Sequence, residues 1–292
     1  MTETHQPTVT THTIGEGEDT INYDVYGDLS AATPDRPALL AFANPMEAAA
    51  FAALAAEIQD RPVVTIDPRG AGRNPTGTSP LTPGQHADDL HRVIEALGVG
   101  PVDAFGSSGG AICLLALLEA HPDDVRCAVV HEPPFVDALA DGDVVLAACT
   151  DIRNTYDRAG NGPAMAKFIA LVMRPEPLPA DYLDRPAPDP AAFGMSTEDD
   201  GDRTNPLMRN MPACNAYVPD YTALAALGKR LHVAVGADSG QEIAARGGHG
   251  LAQRLGREVD LFPSHHAGFT SAEGDFPGQP EAFAARLREV LA

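Results

Sequence analysis

Along the chain, short runs of apolar and β-branched residues alternate with longer segments whose apolar positions recur every three to four residues. The runs Ala38–Phe42, Val63–Ile66, Val102–Phe105, Cys127–Val130, Leu231–Val235 and Val259–Phe262 read as buried strands. Between and after them, Glu47–Gln59, Pro83–Leu97, Gly110–His121, Gly250–Leu255 and Pro280–Leu291 read as helices. Thr82 and Gly98 are a start and a stop for the second of these, and Pro122 ends the third. Strands and helices in this rhythm build a parallel sheet covered by helices on both faces. The opening departs from it: Thr8–Ile14 and Thr20–Tyr26, joined through Gly15-Glu16-Gly17-Glu18, predict a hairpin of two antiparallel edge strands.

The rhythm also breaks in the middle. After Pro133 come helical patches, then six prolines from Pro175 to Pro190, then the acidic run Glu198-Asp199-Asp200-Gly201-Asp202. A segment this long inside an α/β domain is ordinarily a lid or binding element. The expected organisation is therefore a core over 1–133, a cap inserted at 134–219, and the rest of the core over 220–292. Met195, Met208 and Met211 fall in the cap, where they suit an adaptable apolar pocket. A length of 292 residues fits one large domain.

Composition narrows the partners. Twenty Lys plus Arg against 41 Asp plus Glu leave a net charge of −21, which repels nucleic acid and anionic lipid surfaces. The longest apolar stretch, Ala48–Ala56, is too short to span a bilayer. Met1–Thr13 has neither the basic start nor the apolar centre of a signal peptide, so a cytoplasmic location is expected. Cys113, Cys127, Cys149 and Cys214 lack the spacing of a zinc site or a disulfide scaffold and read as reduced packing residues. The expected partner is a small molecule, with the protein a monomer or homodimer.

The most specific chemical signal is Val102-Asp103-Ala104-Phe105 running into Gly106-Ser107-Ser108-Gly109-Gly110 and then into a helical pattern. A strand, a sharp turn and a helix in that order make a nucleophile elbow, which needs small residues two places before and after a strained serine. Gly106 and Gly110 fit Ser108; Ser107 would put Phe105 in one of those places. The helix N-terminus that follows offers the Gly109 N–H to a tetrahedral oxyanion.

A serine hydroxyl needs a histidine to take its proton and a carboxylate to orient that histidine. His266 follows Leu261-Phe262-Pro263 and precedes Ala267-Gly268, which lets the loop turn back; His265 is the rival, since neighbouring side chains diverge. Asp238 follows the strand Leu231–Val235 and Gly236, at a carboxyl end of the sheet, and is the expected acid. Glu132, after the strand ending at Val130, is its rival.

With these residues in place, the chain resembles the α/β-hydrolase family from about residue 20 to 292, in its serine-nucleophile branch and with actinobacterial members foremost. The resemblance rests on Asp67-Pro68-Arg69-Gly70, on the elbow, on His131-Glu132-Pro133-Pro134, and on Pro263-Ser264-His265-His266-Ala267-Gly268-Phe269. The last of these matches the family's Pro-Gly-Gly-His-x-Gly-Phe and assigns the catalytic histidine to His266. The resemblance implies a mostly parallel eight-stranded sheet flanked by helices, with an inserted helical cap. The family's His-Gly-x after the third strand is absent; here the chain reads Phe42-Ala43-Asn44-Pro45-Met46. Pro45 has no N–H, so the second oxyanion donor falls to Asn44, with Met46 as the alternative. Asn44-Pro45 is shared with haloalkane dehalogenases, but Ser108 replaces their aspartate and the chain has no tryptophan to bind halide.

Other chemistries fit less well. Gly70-Ala71-Gly72 would need its third glycine where Pro75 stands, so no dinucleotide site is expected. His86, Asp88, Asp89 and His91 share a helix but are spaced around it and read as a solvated face, with no metal or cofactor expected. The expected activity is hydrolysis of an ester, lactone or thioester through an acyl-enzyme. The same constellation also serves carbon–carbon cleavage, acyl transfer and perhydrolysis, and the fold alone would also suit a non-catalytic receptor.

Overall fold

The computed structural model describes residues 7–274 and 276–292. Residues 1–6, on which the reading of the N-terminus partly rests, lie outside the described residues. Eight strands form one sheet: β1 Val9–Ile14, β2 Ile21–Tyr26, β3 Leu39–Asn44, β4 Val63–Ile66, β5 Val102–Ser108, β6 Val125–His131, β7 Leu231–Gly236 and β8 Asp260–Phe262. Their spatial order is β1-β2-β4-β3-β5-β6-β7-β8. β1 pairs antiparallel with β2, β2 antiparallel with β4, and every later pair is parallel. The hairpin is as expected, but only β1 is an edge, because β2 hydrogen-bonds to β4 on its other side. All six residues of β3 are buried, as both faces of a central parallel strand demand.

Helices cover both faces. α1 (Ala52–Glu57) and α9 (Pro280–Val290) pack on one; α2 (Pro83–Leu97), α3 (Gly109–Ala120) and α8 (Ile243–Arg254) pack on the other. α2 carries the start read from its sequence: Thr82 and Gln85 form a reciprocal capping box, and Gly98 closes the helix at φ 66°. Instead of a helix over Glu47–Gln59, a 3₁₀ turn at Ala48–Phe51 leads into the short α1. α8 begins seven residues before the predicted Gly250. Its glycines discourage a helix by propensity but permit close packing: a Cβ on Gly248 would lie 2.7 Å from Val235 Cγ2, and one on Gly250 2.7 Å from Ala138 Cβ.

Between β6 and β7 the chain leaves the sheet. There it forms α4 (Gly142–Ala159), α5 (Asn161–Val172), α6 (Pro206–Asn215) and α7 (Tyr221–Ala226), with irregular proline-rich chain between α5 and α6. α4, α5 and α6 share a separate apolar cluster that includes Tyr156, Met208 and Met211, so this part carries its own packing. Among the described residues, no helix is long and apolar enough to cross a membrane. All four cysteines are buried and free, as packing residues should be.

Candidate active site

β5 ends on Ser108 and α3 begins on Gly109, so no linker separates strand from helix. Ser108 takes up the reversal at φ 56°, ψ −129°, a conformation few side-chain-bearing residues adopt. The flanking glycines are required by contact. A Cβ on Gly106 would lie 2.8 Å from the Gly110 carbonyl oxygen, and one on Gly110 would lie 2.5 Å from the Ala43 Cα of β3. The elbow therefore exists because α3 is pressed against the neighbouring strand.

Alternation along β5 separates the two serines. Ser107 is buried and its Oγ meets His131 Nδ1 at 3.0 Å, while Ser108 is partly exposed and lines a cavity of about 440 Å³. Asn44, Gly109 and His266 line the same cavity. Asn44 pairs in register with Ser108 across β3 and β5, so the end of β3 stands beside the elbow. Met46 packs instead against the α1–α9 side of the sheet. A groove of about 1400 Å³ elsewhere, beside Arg126, Arg257 and the last residues of the chain, contains none of the predicted site residues.

His266 lies in the loop after β8, and its Nδ1 is 2.5 Å from Glu132 Oε2. The other carboxylate oxygen of Glu132 accepts the Gly236 N–H at 2.8 Å. Asp238, the expected acid, does not hold the histidine. Its side chain is exposed, and its backbone N–H donates to the Ser264 carbonyl at 2.9 Å, which ties the turn after β7 to the histidine loop. The correction has a geometric cause. β6 lies directly beside β5, one strand nearer Ser108 than β7, and Glu132 turns off the end of β6 at φ 50° into a fully buried position. His265 is held away by two bonds of its own, Nε2 to the Pro277 carbonyl and Nδ1 from the Ala267 N–H, each 3.2 Å.

Burial alone would raise the Glu132 pKa, but the hydrogen bond from His266 and the nearby charges of His131 and His266 outweigh it and pull it down to about 2. His131, enclosed among Phe105, Phe262, Phe269 and Phe283, is pushed the other way by desolvation, to about 4, so it is a neutral ring at neutral pH. A histidine depressed from 6.5 to about 4 on folding costs stability as pH falls through that window, because only the unfolded chain takes up the proton. The full cost is about 3 kcal/mol. Glu132 adds a loss of the same sign at lower pH, from its ordinary 4.5 down to about 2. Urea unfolding at pH 7 and pH 4.5 is expected to show this fall. His131→Asn, which keeps a partner for Ser107 but does not titrate, should lose most of the His131 share; an unchanged slope would refute the assignment.

α6 adds residues that sequence reading did not single out. Asn210 Oδ1 accepts from Asn44 Nδ2 at 3.1 Å and meets His86 Nε2 at 2.6 Å, and Asn210 Nδ2 donates to the Pro206 carbonyl at 2.7 Å. An oxygen acceptor requires the His86 proton on Nε2, and burial lowers the pKa of this ring, keeping it neutral. The expected solvated face of α2 is thus half wrong: His86 and Asp89 are buried, and Asp89 binds Arg69 and Arg92. Nothing in the sequence marks Asn210 as the partner of His86 and Asn44, since the pairing spans 124 and 166 residues.

The rest of the cavity wall is largely apolar, including Phe168 and Leu171 of α5 and Met211 of α6, with exposed Met173 and Phe276 also lining it. Among the described residues, no three metal-ligating side chains of its wall bring their ligand atoms within 4.8 Å of one another. Elsewhere His91, His121 and Asp124 bring one ligand atom each within 4.8 Å of one another. The two rings stack 3.8 Å apart and 7° from parallel, so no point near them lies in both ring planes, as coordination by both would require.

The model of a family described as the alpha/beta hydrolase fold matches residues 41–235. An uncharacterised hydrolase of Bacillus subtilis, YraK, is 25% identical over 222 residues, covering 73% of this chain and 75% of its own. Among solved structures, MGS-M2, an alpha/beta hydrolase enzyme from a Medee basin deep-sea metagenome, superposes with a TM-score of 0.67 at 15% identity over 96% of both chains. A thermophilic esterase of Thermogutta terrifontis gives 0.62 at 19% identity over 97% of this chain and 98% of its own. The enol-lactonase of Burkholderia xenovorans LB400 gives 0.61 at 16%, over 93% and 96%. With the family match covering most of a sheet that has the order and elbow described above, the chain belongs to the α/β-hydrolase fold family.

Proposed function

We propose that the protein is a serine hydrolase that cleaves a carboxylic ester, lactone or thioester through an acyl-enzyme. The observation that carries this reading is the His266–Glu132 pair at 2.5 Å, in a cavity whose wall includes a serine on a strained elbow. In this mechanism Ser108 Oγ attacks the substrate carbonyl while His266 Nε2 takes its proton. Glu132 keeps the ring in the tautomer with Nδ1 protonated and stabilises the imidazolium that forms. The N–H groups of Gly109 and Asn44 bind the oxyanion, each worth on the order of 10²- to 10³-fold in rate. His266 then gives the proton to the leaving alcohol or thiol, and water, deprotonated by the same ring, releases the acid. Residues 134–219 act as the cap and supply apolar wall to the acyl group. The esterase and the enol-lactonase that share the fold are in keeping with this substrate class.

A fluorophosphonate probe tests the reading directly. Labelling is expected on wild type at Ser108, to be lost in Ser108→Ala and retained in Ser107→Ala. A folded wild-type protein that does not label would favour a receptor without catalysis.

A further inference from the structure

Glu242, at the N-cap of α8, contributes the only carboxylate of the cavity wall among the described residues, and no Lys or Arg lines that cavity. Its ordinary partner would be Arg246 one turn later. That guanidinium is committed to Asp141, at 2.5 and 3.1 Å, and to the Gln241 carbonyl at 3.1 Å. His265 is bonded through Nδ1 to the Ala267 N–H and through Nε2 to the Pro277 carbonyl, and His266 Nδ1 is taken by Glu132. Glu242 is therefore a half-buried acid with no side-chain hydrogen bond or ion pair among the described residues. Desolvation raises its pKa, and the charge of Glu132 adds to this, while His266 and His265 oppose it.

A partly desolvated carboxylate with no side-chain partner gains from a ligand that brings a positive charge to it. Its place beside the two histidines of the loop after β8 says which part of the ligand. The ring of His266 returns its proton to the leaving oxygen, so the leaving alcohol lies on the histidine side and the acyl chain against α5 and α6. We infer that Glu242 binds a cationic ammonium group carried on the leaving alcohol of the substrate, the ester being of an amino alcohol. The net charge of −21 draws such a cation toward the protein from solution. This inference rests on the hydrolase reading for its chemistry, though not for the binding of the cation.

The test compares 2-(dimethylamino)ethyl butanoate, charged at neutral pH, with its neutral isostere 3-methylbutyl butanoate. Wild type is expected to prefer the charged ester about tenfold or more in kcat/KM, mainly through KM, and Glu242→Gln to reduce that ratio about tenfold, the scale of a hydrogen bond to a charged group. A wild-type ratio at or below one overturns the inference without any variant, as does an unchanged ratio in Glu242→Gln. In a second arm, calorimetry on Ser108→Ala protein titrates 2-(dimethylamino)ethanol against 3-methylbutan-1-ol. The amino alcohol should bind more tightly, and adding Glu242→Gln should remove the difference; equal binding of the two alcohols overturns the inference. If no ester is turned over and the fluorophosphonate does not label Ser108, the hydrolase reading fails, while the calorimetry still decides the role of Glu242.

Discussion

Replacing Glu132 with glutamine is expected to lower kcat on p-nitrophenyl esters by about four orders of magnitude, the scale seen when the acid of such a triad becomes an amide. Asp238→Asn should stay within about threefold of wild type, a bound set by the usual small effect of exposed substitutions. The size of the first effect follows from the two bonds Glu132 makes. One carboxylate oxygen serves the Gly236 N–H and the other serves His266 Nδ1. Glutamine has a single oxygen, and the backbone N–H cannot turn away from it. The amide NH₂ must then face Nδ1, which forces the ring proton onto Nε2, the nitrogen that has to accept the proton of Ser108. The fold should survive, since the two side chains are nearly isosteric. Steady-state kinetics on both variants decide the matter: a large loss in Asp238→Asn with near-normal Glu132→Gln would return the acid to the turn after β7.

Ser108→Ala is expected to remove essentially all turnover, a loss of about 10⁵- to 10⁶-fold. Ser107 offers no rescue, because its hydroxyl is buried and bonded to His131 on the other side of the strand. The variant also separates function from strain. Alanine at φ 56° is no more comfortable than serine, so Ser108→Ala should unfold at nearly the wild-type temperature. Ser108→Gly should be equally inactive but more stable by about 1 kcal/mol, since glycine adopts this backbone freely. Measured activity in either variant above the level of the uncatalysed reaction plus oxyanion binding would remove Ser108 from the nucleophile's role.

The elements that were legible in the sequence are those whose signals are local. α2 was bounded to the residue because its cap, its stop and its apolar stripe all lie within the helix and its flanks. The elbow is legible because its pattern of strand, glycine-flanked Ser108 and helix is contiguous in the chain, although the contact that demands Gly110 comes from Ala43 of β3. What escaped depends on contacts between distant segments. α8 begins seven residues before the expected start because its glycines answer to Pro133, Val235 and Ala138, contacts that its own pattern does not carry. The partner of His266 differs from the expected Asp238 because chain order does not separate Glu132 from Asp238; both fall between Ser108 and His266. The discriminating signal is a glutamate one residue past the apolar run Cys127–Val130, after His131, and followed by Pro133-Pro134, a placement with no rationale on a solvated turn. His86 looked like surface because Asn210, its partner, comes 124 residues later.

The contact of Asn210 with both His86 and Asn44 ties α6 to the body of the sheet. Lifting α6 away would strip the acceptor from two buried donors at once, one of them on the strand that borders the nucleophile. On the proposed mechanism that helix is a fixed wall, since opening it would disturb Asn44 beside Ser108. On that reading, substrate and product pass the other flank, where Met173 and Phe276, 60% and 72% exposed, leave a greasy threshold between solvent and Ser108.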